Sequence, residues 1–249
     1  MRISPNRDLQ RSLKNFYWKE GRKVLYKTAT PIIDLIDKVS VDEIKQRSKD
    51  LLKKDVMNEY VTEIWSKTGG RFASDMTGRL RNRKSTESPD LRLWEEAFRA
   101  YMFERSRKIT GMILDTEAIL INAIIDELVA EATLEGQSIQ VISGAIKTRF
   151  EDRLVKIQNY EAERIARTEV IGASNKGSYD GVKSTGLDVK KGWSTSGLSG
   201  IRPSHLLYES FGWLHMDKEF APGLQHPGDP NGEAGEIINC RCTILYNVD

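Results

Sequence analysis

The sequence predicts an α+β protein: a long-helical N-terminal region followed by a small α+β C-terminal domain with short antiparallel strands. Two observations lead there. Up to about residue 170, apolar residues recur at steps of three and four, the spacing of one helix face. Beyond it, twelve of the 19 glycines lie between Gly172 and Gly235, and four of the seven prolines follow Ile201. Such punctuation breaks long helices into short strands and loops. A length of 249 residues suits one large or two small domains, either with a proper core.

Residues 1–30 read as a basic N-terminal arm. Residues 1–29 hold eight Lys and Arg against Asp8 and Glu20, a net +6, interleaved with Phe16, Tyr17, Trp18 and Tyr26. Basic residues among aromatics suit phosphate contact and base stacking, so nonspecific DNA contact is one reading. An arm that packs its rings on a partner protein is the plainer one.

Residues 31–155 read as a helical region. Ile32, Ile33, Leu35 and Ile36 form a short helix after Pro31. Ser40 and Glu43 have capping-box spacing. The helix they open should run to about Lys67 and stop at Gly69-Gly70. A second long helix should start near Ser88-Pro89 and carry Trp94, Phe98, Tyr101, Met102, Ile109, Met112 and Ile113 on its apolar face. Ala118 to Ala130 is apolar nearly all round, which suits a helix set between others or against a partner. Gly136 ends that stretch, and a further set runs from Gln137 to about Phe150.

Residues 156–249 read as the small domain. It should hold a helix from about Asn159 to Ser178, a strand at Val189 to Ser194 and a short helix after Pro203. A hairpin-like stretch at Gly212 to Met216 and a final strand from about Cys240 to Tyr246 complete it. In that strand Cys240, Cys242, Ile244 and Tyr246 share one face, and Asn239, Arg241, Thr243 and Leu245 the other.

Several classes are excluded. No apolar run approaches the roughly 18 to 20 residues of a membrane span. The N-terminus shows no apolar core of a secretory signal, and two cysteines are too few for a disulfide scaffold, so synthesis in a reducing cytosol is expected. There is no H-E-x-x-H, no G-x-S-x-G and no P-loop.

Both cysteines and all three histidines, His205, His215 and His226, lie within the last 45 residues. Cys240 and Cys242 are read first as free thiols packed in the core. Zinc held by Cys240, Cys242, His205 and His226 is a second reading, and a redox or bridging pair a third. His205, His226 and Asp229 could also form an acid–base set for phosphodiester cleavage, although HPGDP (His226–Pro230) reads first as a rigid loop.

The helix YEAERIARTEVIGASNKG (Tyr160–Gly177) places Glu161 and Glu163 near its positive end and spaces Glu163 and Arg167 as an i, i+4 pair. Arg164, Thr168, Ile171 and Asn175 line one face. Ala166, Gly172, Ala173 and Gly177 are small enough to admit another element closely.

Five blocks then stand in order: RIARTEVIGASNKG (Arg164–Gly177), KKGWSTSG (Lys190–Gly197), IRPSHL (Ile201–Leu206), HPGDPNGEAGE (His226–Glu236) and INCRC (Ile238–Cys242). Over about residues 155–247 they resemble the phage Mu F-like minor head proteins, also called head morphogenesis proteins. The family pattern falls on Arg164, Arg167, Thr168, Glu169, Asn175, Trp193, Arg202, His205, Asn239, Cys240, Arg241 and Cys242. One departure is that the family's Asp-Arg pair ahead of Arg202 is here Ser199 and Gly200.

The resemblance implies a structural virion component, not an enzyme, with no catalytic residues and no cofactor beyond the zinc already weighed. Its partner would be the phage portal protein, with the major capsid or scaffolding protein as further contacts. It would lie inside the head near the portal, after assembly in the host cytoplasm, and aid head assembly and DNA packaging or ejection. Asn239 and Arg241 would hydrogen-bond loops such as the Trp193–His205 connection. The competing readings are a His-dependent nuclease or toxin-like module and a DNA-binding assembly factor acting through residues 1–29.

Overall fold

The computed structural model describes residues 2–36, 38–81, 91–134, 139–195, 197 and 200–248. In chain order the elements are β1 (Arg2–Ile3), α1 (Arg7–Leu35), α2 (Val41–Leu51), α3 (Lys54–Arg81), α4 (Leu91–Leu134), α5 (Ile139–Lys183), β2 (Val189–Ser194), α6 (Pro203–Ser210), β3 (Leu214–His215), α7 (Ala234–Ile237) and β4 (Thr243–Val248). The fold is α+β, with long helices and a small antiparallel sheet. No helix among the described residues is long and apolar enough to cross a membrane.

Several long helices run further than the sequence pattern predicts, whereas the single helix expected from Ser40 to about Lys67 is two, α2 and α3, broken at Leu52–Lys53. Within the expected basic arm, Arg2–Ile3 form β1 and residues 7–30 form most of α1. Asn6 opens α1, its Oδ1 accepting the Leu9 N–H at 3.0 Å. The helix then passes through Pro31 and ends at Leu35, so the short helix expected after Pro31 is its last turn. Proline removes one ladder bond there, close to the end, where the loss is small. The sets expected at 137–150 and 159–178 are one helix, α5, and the expected boundary at residue 155 falls inside it. The expected start at Ser88-Pro89 and stop at Gly136 lie outside the described residues.

The chain clusters into two compact units. One comprises Lys19–Val61 and Ser106–Glu163. Its core is mainly aliphatic, with Leu25, Ile32, Ile44, Met57, Ile121 and Leu154 all buried. Ser40 caps α2 as its spacing predicts, its Oγ accepting the Glu43 N–H at 3.2 Å. The run Ala118–Ala130 buries Ile121, Ile124, Ile125 and Leu128 but leaves Ile119 exposed, so it is covered on one side within this unit.

The other unit comprises Met1–Trp18, Thr62–Arg105 and Arg164–Asp249. Here Gly69-Gly70 does not stop α3. A Cβ on Gly69 would come within 2.1 Å of the Phe98 ring, and one on Gly177 within 2.2 Å of the Gly69 carbonyl oxygen. Glycine at both positions lets α3, α4 and α5 approach backbone to side chain and backbone to backbone. The pair marks a helix crossing and not a terminus.

The four strands of this unit pair antiparallel in the order β1-β4-β2-β3. Central β2 sets Val189 opposite Val248 and Trp193 opposite Ile244. Val189, Ile244 and Tyr246 join one apolar cluster with Met76 and Leu80 of α3. Trp193 joins a second with Tyr208, Phe220, Leu224 and both cysteines. β2, α6 and the short β3 lie where the sequence pattern places them. The final strand begins three residues later than expected, at Thr243, so the cysteines precede it.

Between Val189 and Trp193 on the same face of β2 lies Lys191, which is fully buried. Its ammonium donates to the Gln225 carbonyl at 2.9 Å and to Gln225 Oε1 at 2.5 Å, and sits over the rings of Tyr179 and Phe220. Burial lowers its pKa to about 8, against the attraction of Asp229 and Asp217. The unfolded chain therefore holds this proton more tightly than the folded one between about pH 8 and 10.5, and stability rises with pH across that window. From pH 7 to 9.5, urea unfolding of the wild type should gain about 2 kcal/mol relative to K191M. A constant difference would show that the partners offset the burial of the charge.

Candidate functional site

The closing segment is held by α5 before any cysteine is reached. Asn239 has φ +62°, the only non-glycine residue in that region among those described. Asparagine tolerates it better than most residues. The turn is fastened at two points: the Asn239 N–H donates to Thr168 Oγ1 at 2.9 Å, and Arg167 donates to Asn239 Oδ1. Arg202, just before α6, donates to the Ile238 carbonyl at 2.6 Å. Asn239 thus bonds to α5, with no bond to the Trp193–His205 connection among the described residues, and Arg241 is exposed. The link to that connection comes from Arg202 instead.

Asn175 fastens the next residues. It is completely buried, and its side chain makes four hydrogen bonds. Nδ2 donates to the carbonyls of Pro227 at 3.0 Å and Cys242 at 3.2 Å. Oδ1 accepts from the Ile244 N–H at 3.1 Å and Thr243 Oγ1 at 3.2 Å. One amide therefore ties the HPGDP loop and the start of β4 to α5. That loop rests on the same helix, because Gly228 has φ +71° and a Cβ there would meet the Gly172 Cα at 3.0 Å.

These bonds turn both thiols toward α6. Cys242 Sγ lies 3.3 Å and Cys240 Sγ 3.9 Å from His205 Nδ1, and the Cys242 N–H donates to Cys240 Sγ at 3.4 Å. All three side chains are buried, and their ligand atoms lie within 4.8 Å of one another. Trp193 covers the group, its ring edge-on to His205 and Tyr208 with centroids 5.1 Å away in each case. A hydrogen bond from the Cys240 thiol pulls the Cys242 pKa down, helped by His205 and the Trp193 N–H, while Cys240 is pushed up by the same bond and by burial.

On the far side of the ring, His205 Nε2 lies 3.0 Å from Glu236 Oε2. That contact falls short of a formed hydrogen bond, because Nε2 has no partner of hydrogen-bond geometry. Glu236 is in turn held by Ser204, whose Oγ lies 3.1 and 3.0 Å from its two oxygens. Neither Ser204 nor Glu236 stood out in the sequence, although each lies inside a quoted block and Ser204 adjoins His205.

His226 does not join this group among the described residues. It is buried elsewhere, with Nε2 3.6 Å from Asp229 Oδ2 and its ring tilted against Tyr179. Asp229 also accepts the N–H groups of Gln225 and Asn231, each at 3.0 Å, so it shapes its own loop. Burial lowers the His226 pKa despite Asp229. The acid–base set of His205, His226 and Asp229 is not assembled as one site.

Glu169 is also buried, apart from the thiols. It accepts the Trp65 indole N–H at 2.8 Å, and burial raises its pKa against the pull of Arg105. Arg164 is half-buried on α5. Of the two positions where the family's Asp-Arg pair is replaced, Gly200 is exposed with φ +78° and Ser199 lies outside the described residues. Comparison with protein-family models finds no match, and comparisons with curated proteins and with solved structures find none either.

Proposed function

We propose that this chain is a structural minor head protein of a tailed bacteriophage, of the Mu F-like kind. In this reading it binds the portal protein inside the capsid and aids head assembly and DNA packaging or ejection, without catalysing a reaction. The observation that carries the reading is the use made of four of the five sequence blocks. Arg167, Thr168 and Asn175 of the first, Arg202 of the third, Pro227 of the fourth and Asn239 of the fifth bond to one another or to the segments between them. The residues that carry the resemblance are engaged in fastening a domain, as expected of a structural part.

A test is co-expression with the portal protein encoded in the same genome, followed by pull-down and mass measurement. A defined complex with a few copies per portal ring is the expected result. A well-folded chain that ignores the portal would overturn the portal assignment, and binding to the major capsid or scaffolding protein instead would relocate it within the head. Salt-steep, sequence-indifferent DNA binding lost on neutralising Lys19, Arg22, Lys23 and Lys27 would favour the DNA-binding reading.

A further inference from the structure

We propose that His205, Cys240 and Cys242 bind a zinc ion, with Glu236 as the residue that positions the histidine. The site stands whether or not the chain enters a phage head. Zinc bonds of about 2.3 Å to sulfur and about 2.0–2.1 Å to nitrogen, at tetrahedral angles, set sulfur and nitrogen about 3.6 Å apart. The two sulfur–nitrogen separations here, 3.3 and 3.9 Å, bracket that edge, so shifts of a few tenths of an ångström suffice.

Charge supports the same ion. Two thiolates and a neutral imidazole cancel a divalent charge, so the loaded site carries no net charge into the interior. Two thiolates and an imidazole are also the soft and borderline donors that zinc favours. The Trp193 indole N–H acts on Cys242 but does not reach ordinary hydrogen-bond geometry there. A metal-bound thiolate is an acceptor for it.

The surroundings match a metal site more closely than a packed core. A ligating histidine usually presents its second nitrogen to a carboxylate, which fixes the ring and its tautomer. Here Nδ1 faces the thiols and Nε2 faces Glu236, which Ser204 holds from the preceding position on α6. With the proton on Nε2, the Nδ1 lone pair is free for the metal. The three ligands leave one coordination position for water, since no fourth Cys, His, Asp or Glu joins them among the described residues. An ion here would rivet α6 to the segment Asn239–Cys242, two pieces joined otherwise by Arg202 and apolar packing.

The test is metal analysis of the full chain, purified under reducing conditions without chelator and then exposed to zinc sulfate and desalted. About one zinc per chain is expected. Cobalt in place of zinc should give the intense visible bands and thiolate charge-transfer absorption of a four-coordinate sulfur site. C242S and H205A should lose the stoichiometric metal. E236Q should fold and keep both thiols, yet release zinc to a competing chelator at about tenfold to hundredfold lower chelator strength. Should C242S or H205A fail to fold, the wild-type cobalt spectrum and the E236Q competition still decide. A folded wild type that stays metal-free in zinc overturns the proposal. So does zinc retained in H205A and C242S, which would place it elsewhere. Rapid alkylation of Cys242 in the folded, metal-free chain would replace it with an activated thiol paired to His205.

Discussion

Replacing Asn175 with alanine should destabilise the protein by about 4 kcal/mol, the largest loss expected from any polar substitution on α5. The amide of Asn175 has capacity for two donated and at least two accepted bonds, and all four are made to buried partners. Alanine strands two carbonyls, one N–H and one hydroxyl. Each buried group left unpaired costs about 1–3 kcal/mol, with part of the total recovered if water enters the space. At roughly 2–4 °C per kcal/mol for a chain of this size, the thermal midpoint should fall by about 10 °C. N175D should do no better, because it replaces a double donor with a buried charge. A midpoint within 2–3 °C of wild type would mean that the HPGDP loop and β4 hold to α5 without this residue.

Gly177→Ala should cost about 3 kcal/mol, although alanine is the better helix former. In an open helix the exchange stabilises by about 1 kcal/mol. At Gly177 the added methyl would lie 2.2, 2.8 and 2.9 Å from the carbonyl oxygen, carbonyl carbon and Cα of Gly69. All three are backbone atoms, so no side chain can swing away and α3 and α5 must separate. Overpacking typically costs about 1–3 kcal/mol and more where the backbone must move, which outweighs the propensity. Gly78→Ala is the internal control, since a Cβ there meets nothing within 4 Å. It should raise stability by about 0.5–1 kcal/mol. Equal responses at the two positions in chemical denaturation would sink the account of the crossing.

The contrast between Gly177 and Gly78 also marks the limit of what the sequence could tell. Gly69-Gly70 looks the same in sequence whether it ends a helix or receives Phe98 and α5, because the partners lie about 30 and 110 residues away. Local chemistry was readable where the cause was local. Ser40 and Glu43 make a cap within one turn, Pro203 starts α6, and the alternation from Val189 to Ser194 is that of a strand. The site was legible in kind but not in membership. Clustering of Cys and His pointed to Cys240, Cys242 and His205, and nothing in the spacing distinguished His205 from His226. Packing separates them: Trp193 covers one histidine, while the tilted ring of Tyr179 meets the other. The placement of the cysteines on the final strand failed for a related reason. Asn239 enters the left-handed region because Arg167 and Thr168, about 70 residues earlier, hold it there.

The strand order has a consequence for how the chain is made. β1 at residues 2–3 pairs only with β4 at residues 243–248, and β2 takes β4 on one side and the two-residue β3 on the other. Synthesis proceeds at about 5–20 residues per second, so the first strand waits roughly 12–50 seconds for its neighbour to be made. Closing a loop of about 240 residues costs roughly 5 kcal/mol in chain entropy before any contact forms. Residues 19–163 supply the whole of the other unit, so its partners exist well before β4 does. A ribosome stalled after β2 has emerged but before residue 243 would hold a nascent chain whose early helices can associate but whose sheet has no middle. Such a chain would show β1 and β2 open to a protease, and release of the completed segment would close both at once.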